Sequence, residues 1–450
     1  MNGTLETSGG GRATFRDVFA VAEFRALWAA QLLSVTGDQL ARVAITVLVY
    51  DRTRSALLAG VTFAASVVPM FVGGVALSGM ADRLPRRQVI IGADLASGAL
   101  VAVMAVPGIP PTVLILLLAA VTMVGGLFLA ARAAVYPDIL RGDRYVLGTA
   151  VTMTTFQFAQ VVGFAAGGIA VAFLGMRIAL LTDAATFAAS ALVIRTCVRA
   201  HPVASAECPS GSTSIPEKVA GAGAAGPGRR DRPSLAAEAI AGLRLVLSTP
   251  AMRTPMLFGW LCAFYELPEG VAAPLARAVG GGAATVGLIL AAQALGSTAG
   301  AIGFSRFVDP ARRLKWTGPL AVAACAALAL FVTDPGLPGV LLILALSGSC
   351  GCYQLAANAS FVQATPPARR SQAFGIAQGG MSLGQGTAII LAGASAEHVT
   401  PASVISSAGS IGAMCALAIA LSQPAGLHRP RGAREAPSCH PAHPVSESDS

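Results

Sequence analysis

Charge is scarce in this chain. Only 12% of its 450 residues are Asp, Glu, Lys or Arg, against about 25% in soluble domains, which excludes a water-soluble globule. Aromatic residues are few as well, at 6%. Lysine is limited to Lys218 and Lys315, while arginine supplies the rest of the positive charge. The bias points to GC-rich coding rather than to a phosphate-binding surface. No nucleic-acid partner is expected, despite a formal net charge of +9. The eight cysteines never form two CxxC pairs at zinc spacing, so no metal site is expected. Cys350-Gly351-Cys352 reads as a cluster of inert buried thiols. Neither HExxH, a Walker loop nor GxSxG between a strand and a helix is present. No enzyme activity and no cofactor are therefore expected, and there is no built-in ATP motor. A cleavable leader is not expected either, because the first apolar segment follows a polar stretch and is too long for one.

Hydrophobic residues, by contrast, make up 54% of the chain. They fall in runs of roughly twenty, the length that crosses about 30 Å of hydrocarbon as a helix. Fifty glycines suit helices that approach closely in lipid. The runs lack two-residue alternation, which excludes a transmembrane barrel. The expected fold is an all-α membrane protein with twelve spans, at 24–50, 56–80, 88–106, 111–134, 147–174, 177–197, 253–278, 284–306, 315–333, 336–361, 371–396 and 401–422. With this count, basic residues sort almost entirely to one side. Only Arg52, Arg54, Arg177 and Arg277 face the other, and Arg42 lies inside a span. The skew predicts both termini in the cytoplasm, in a bacterial cytoplasmic membrane.

The spans divide into two groups of six. A cytoplasmic N-terminal segment at 1–23 leads into a bundle at 24–199, and a Gly-, Ala-, Ser- and Pro-rich linker follows at 200–233. Residues 234–248 read as an amphipathic helix on the inner membrane surface, 249–424 as the second bundle and 425–450 as a disordered tail. Corresponding turns repeat. Asp82 to Arg87 follows the second span, as Arg306 to Arg313 follows the eighth. Tyr136 to Arg141 follows the fourth, as Pro366 to Arg370 follows the tenth. Two pseudo-symmetric six-helix bundles form a transporter architecture with a substrate site near the midplane.

Several polar residues lie where lipid would otherwise be. Gln31, Ser34, Asp38 and Arg42 share one face of the first span. A charge there costs about 2.5–3.5 kcal/mol on insertion scales and almost always faces a cavity or a partner. Three readings stay open: an Asp38–Arg42 salt bridge, a proton carrier at Asp38, or a substrate contact. Glu266 and Glu269 bracket Pro268 beside Tyr265, where a broken helix lines a cavity or gate. Glu266 is the second candidate for proton coupling. Asp183, near the outer end of the sixth span, is expected to be solvated or capping. Amides recur at Gln160, Gln354, Asn358, Gln378 and Gln385, either as interhelical glue or as parts of a cavity for a largely apolar or neutral ligand.

The turn Ser78-Gly79-Met80-Ala81-Asp82-Arg83-Leu84-Pro85-Arg86-Arg87 places one carboxylate among three guanidiniums. Such groups make charge-assisted contacts to neighbouring helix ends, which reads as a conformational latch. Asp94, close by in the third span, is read either as an acceptor for these arginines or as a proton site.

The turn resembles the loop-two signature of the major facilitator superfamily, G-x-L-a-D-R-x-G-R-R/K. Asp82, Arg83, Arg86 and Arg87 match it, whereas Ser78, Met80 and Pro85 depart from it. Leu27 to Ser34 with Gly37-Asp38, and Ala131 to Asp138, resemble the enterobactin-exporter-like and macrolide-efflux-like branch. The fourth-span motif is matched only by Leu129 and Arg132, leaving Arg132 either a cavity cation or an interfacial anchor. Gly163, Gly167 and Gly168 match the fifth-span antiporter motif, with Phe164 in place of its Pro. The resemblance implies a monomeric, proton-driven exporter of a small amphipathic molecule. Its partners would be that substrate, protons and the lipid bilayer. An uptake permease or a non-transporting membrane sensor are the alternatives.

Overall fold

The computed structural model describes residues 14–76, 84–140, 142–199, 243–244, 246–366 and 369–422. Asp82, Arg83, the linker at 200–233, most of the amphipathic segment at 234–248 and the tail at 425–450 lie outside the described residues. Twelve spans follow in order. The first half holds span one (Ala22–Thr53), span two (Ala56–Ala65 and Val68–Ala76), span three (Arg86–Met104), span four (Pro111–Ile139), span five (Asp143–Leu174) and span six (Met176–Cys197). The second half begins with span seven (Pro250–Trp260, Cys262–Tyr265, Leu267–Val271 and Ala272–Ala278) and span eight (Ala283–Phe307). Span nine (Pro310–Ala329), span ten (Leu337–Cys350 and Tyr353–Ala364), span eleven (Arg370–Ser395) and span twelve (Pro401–Leu421) complete it. Among the described residues, ten helices are long and apolar enough to cross a membrane. Span seven is broken into short pieces, and span eleven carries Gln378 and Gln385 among its glycines.

Two irregularities have a clear cause. Pro69 has no N–H to offer the Ala65 carbonyl, so span two ends its first piece in a tight turn, with the Ser66 amide bonded to Phe63 O. In span seven, Pro268 falls within a 3₁₀ turn. The Glu269 amide there bonds Glu266 O rather than Tyr265 O. Both breaks expose carbonyls at membrane depth, which is tolerated only where protein or a cavity supplies partners. Span four is longer than its composition predicts, because Pro137 sits inside the helix. Arg132 consequently lies well within a helix rather than at its exit.

The halves meet along two seams, span five on span eight and span two on span eleven. A methyl group on Gly168 would stand 2.7 Å from Gly287 Cα, and one on Gly60 would stand 2.9 Å from the Ile389 carbonyl oxygen. Small residues are what let these backbones touch. One continuous apolar core joins the halves at the face opposite the basic turns, with Val43, Val47 and Phe164 among Val271, Val286 and Leu290. At the basic face the cores are separate. Phe24, Ile90 and Leu140 belong to the first half, and Val246, Met252 and Phe361 to the second. The molecule is fused at one face and divided at the other.

Gly73 backs onto span four so closely that an added methyl would stand 2.0 Å from Met123 O. Gly73→Ala is expected to destabilise the fold by roughly 1–3 kcal/mol, since backbone must move to admit it. Gly92→Ala, which meets nothing within 4 Å, is expected to leave stability unchanged or slightly raised. Thermal unfolding of the two variants in the same detergent checks the contrast.

Candidate functional site

Span one turns its polar face inward. Gln31, Ser34, Asp38 and Arg42 line a cavity of about 120 Å³ enclosed by the first half, with room for several waters. Span three adds Asp94 and Ser97, span four Thr122 and Arg132, and span six Asp183, against Phe128, Phe156 and Phe187. Asp94 Oδ2 accepts from the Ser190 hydroxyl at 2.6 Å. Arg132 is buried over the Phe128 and Tyr136 rings, each 5.7 Å away, so its guanidinium is a cavity cation rather than an interfacial anchor.

Two expectations need correction here. Asp38 and Arg42 do not form an ion pair. Arg42 instead donates to the Ser66 carbonyl at 3.2 Å, the group freed by the break in span two, and covers the Phe63 ring at 5.5 Å. Asp183 is neither solvated nor capping. It is fully buried, because Asp183, Phe187, Ser190 and Ile194 form one inward face of span six at helical spacing. That stripe was the sequence signal for it.

A second cavity, of about 290 Å³, lies between the halves. Gln157 and Gln160 reach it from span five, and Tyr265, Glu266 and Glu269 from span seven. Gln293 and Ser297 line it from span eight, and Gln354 from span ten. Gln385 donates to Glu266 Oε2 at 2.7 Å. Gln293 donates to the freed Tyr265 carbonyl at 2.7 Å, and Gln354 to the Tyr265 hydroxyl at 2.9 Å. Asn358 and Gln378 are exposed and line neither cavity. Arg42 lines the first chamber and interacts electrostatically with Glu269, which lines the second, and with Asp38 of its own half.

The remaining candidates act on packing. Gly163 and Gly167 bring span five against Gln39 and Leu40 of span one, and Gly168 meets span eight. Arg86 donates to Ala134 O and pairs with Asp138 at 2.6 Å, and Arg87 donates to Arg195 O. These contacts tie spans three, four and six of one half together. Asp94 stands apart from Arg86 and Arg87, engaged by Ser190, so its expected place in the latch is not what these two arginines show.

The fused face carries contacts that the sequence reading missed. Arg277 pairs with Asp51 across the halves at 2.6 Å. Glu397, between spans eleven and twelve, accepts from the Leu57 amide at 2.8 Å and the Ser55 hydroxyl at 2.7 Å. It thereby caps the start of span two from the opposite half, satisfying an amide that a helix N-terminus leaves free.

Two pseudo-symmetric halves, a cavity between them and charge held at mid-membrane now stand beside the sequence comparison. The Major Facilitator Superfamily model matches residues 27–268 and 268–446. This chain belongs to the major facilitator superfamily. It is a multi-pass membrane transporter, and its family implies a small-molecule substrate. The multidrug efflux pump Tap of Mycolicibacterium fortuitum is 26% identical over 336 residues, which cover 71% of this chain and 75% of that one. The POT family transporter PepTSo shares the fold with a TM-score of 0.64 and 13% identity, over 89% of this chain and 97% of that one. The nucleoside transporter NupG matches with a TM-score of 0.61 and 15% identity, over 88% of this chain and 98% of that one. At these identities the structures show the fold alone.

The Leu57 amide and the Ser55 hydroxyl hold the Glu397 carboxyl below its usual range. A lowered value stabilises the closed face above the ordinary carboxylate range, and that contribution is lost as pH falls through the lowered value. Glu397→Gln is therefore expected to loosen the fused face at neutral pH. Spin labels at Arg54 and Thr400 should gain a longer-distance population in the variant. Acid should produce the same change in the wild type and little further change in the variant.

Proposed function

We propose that this transporter exports a small amphipathic molecule in exchange for protons, working by alternating access across a bacterial cytoplasmic membrane. The observation that carries the reading is the placement of Asp38, Arg42, Glu266 and Glu269. Carboxylates from both halves flank one arginine at the level where the halves meet. A buried carboxylate binds or releases a proton according to the charge beside it. Arg42 can therefore favour the anion of Asp38 in one arrangement and that of Glu269 in another. Movement of the halves then changes which acid holds the proton.

The export direction draws on the likeness to a protein named as a multidrug efflux pump. The excess of arginine on one side supports a cytoplasmic basic face with both termini inside. On that orientation the fused face is external and the divided face opens inward, as a pump awaiting cytoplasmic substrate requires. Gln157, Gln160, Gln354 and Tyr265 would contact substrate in the cavity between the halves. Amides, carboxylates and a tyrosine hydroxyl beside Leu355 and Met381 offer an amphipathic ligand hydrogen-bonding groups together with some apolar surface.

Energised inverted vesicles carrying the protein test the reading with a panel of amphipathic antibiotics and dyes and a pH-sensitive fluorophore. Substrate-induced proton movement is expected in the wild type. Asp38→Asn and Glu266→Gln should each abolish it, while exchange of labelled substrate without a gradient persists. Proton movement that survives both substitutions would remove these residues from coupling.

A further inference from the structure

The first-half cavity contains a titratable group for which the exchange cycle above has no use. Asp183 is completely buried, its Oδ2 has no hydrogen-bond partner, and its Oδ1 meets only the Thr186 hydroxyl at 3.3 Å. Its carboxylate lies against the backbone of span one. A methyl placed on Gly37 would stand 2.1 Å from Asp183 Oδ1, so span six touches span one at the residue preceding Asp38. Both aspartates line the same cavity, and the charge of Asp38 acts on Asp183.

The other charged groups of the chamber are Arg42 from span one, Asp94 from span three and Arg132 from span four. Asp94 is engaged by Ser190, lies near Arg132 and also feels the Asp38 charge, while Arg42 donates to Ser66 O and acts on Glu269 and Asp38. Span five contributes only uncharged Phe156 to the lining. Among the described residues, Asp183 thus has a neighbouring carboxylate and no cation bonded to it. Gln31 Oε1 and Arg132 Nε, on two further lining residues, are also buried without hydrogen-bond partners among the described residues. The chamber's volume of about 120 Å³ admits several waters, and water gives a proton a route between carboxylates.

We infer that Asp183 and Asp38 form a coupled pair that shares one proton inside a hydrated chamber of the first half. The proton site is then a dyad built across spans one and six rather than a single acid on span one. Two carboxylates in one low-dielectric site cannot both ionise readily, so their protons leave in two separate steps that belong to the pair. When the halves move, Glu269 approaches or leaves Arg42, and how far Arg42 is left to act on the pair sets whether the shared proton is kept. The dyad rests on the proton-coupling reading for its place in the cycle, but not for its existence.

Proton binding tests it directly. The full-length protein, reconstituted in phosphatidylethanolamine and phosphatidylglycerol vesicles, is titrated while infrared difference spectra follow the carboxyl C=O stretch. Two separated steps are expected for the pair. Asp183→Asn should remove one step and move the Asp38 step toward acid by on the order of one pH unit, since a like charge has gone. Linkage makes the effect reciprocal, so Asp38→Asn must move the Asp183 step by the same amount. Either variant alone therefore carries the test if the other does not fold. Should each substitution remove its own step and leave the other in place, or should Asp183→Asn leave the curve unchanged, the dyad is overturned. If the dyad titrates as expected while Asp38→Asn preserves substrate-induced proton movement in vesicles, the coupling reading fails and the dyad stands.

Discussion

A charge that cannot be left in hydrocarbon organises this molecule. Asp38, Arg42, Asp94, Arg132, Asp183, Glu266 and Glu269 all lie at depths where lipid offers them nothing, and each is turned toward a cavity or a neighbouring helix. That requirement sets the rotation of spans one, three, four, six and seven about their own axes. Once those faces point inward, the remaining surface of each helix is left to lipid and to the glycine seams. The cavities are therefore a direct consequence of where the sequence places its few ionisable residues.

Broken helices are the second consequence. Pro69 and Pro268 each interrupt a span near a buried charge, and carbonyls beside the two breaks, Ser66 O and Tyr265 O, accept from Arg42 and Gln293 respectively. An intact helix at either place would keep those carbonyls in its own ladder and leave the Arg42 donor at Ser66 without its acceptor. The break in span two therefore supplies a partner that makes a buried guanidinium tolerable. At the other extreme, the paired glycines at Gly168 and Gly287 allow backbone contact where no side chain could intervene.

Much of the architecture was legible in the sequence because length, hydropathy and the sorting of arginines are local properties. Twelve spans in two halves follow from them, as does the inward stripe of Gln31, Ser34, Asp38 and Arg42. Partner choice was not legible. Asp38 and Arg42 are one turn apart, and sequence spacing alone suggests a pair, yet the break in span two offers Arg42 a carbonyl instead. Asp183 was assigned by its depth near a helix end, while its phase with Phe187, Ser190 and Ile194 is what buries it. The clasps Asp51–Arg277 and Glu397–Ser55 join residues 226 and 342 positions apart, and no periodicity encodes them.

The fused face and Arg42 are mechanically connected. Val43, next to Arg42, and Val47, about a turn further along span one, sit in the apolar core that joins the halves. In the proposed exchange cycle, opening that face would separate Gly168 from Gly287 and carry span one away from span seven. Arg42 moves with span one because its stem belongs to that helix, whereas Glu269 stays with the other half. The same displacement that exposes the inter-half cavity to the far side must therefore weaken the attraction between Arg42 and Glu269, and leave Asp38 as its nearest acid. Closed interfaces in packed proteins change between discrete arrangements rather than by gradual deformation. On the proposed cycle, the transfer of Arg42's influence from one carboxylate to the other is a property of the two end states and would require no moving part beyond the rigid halves.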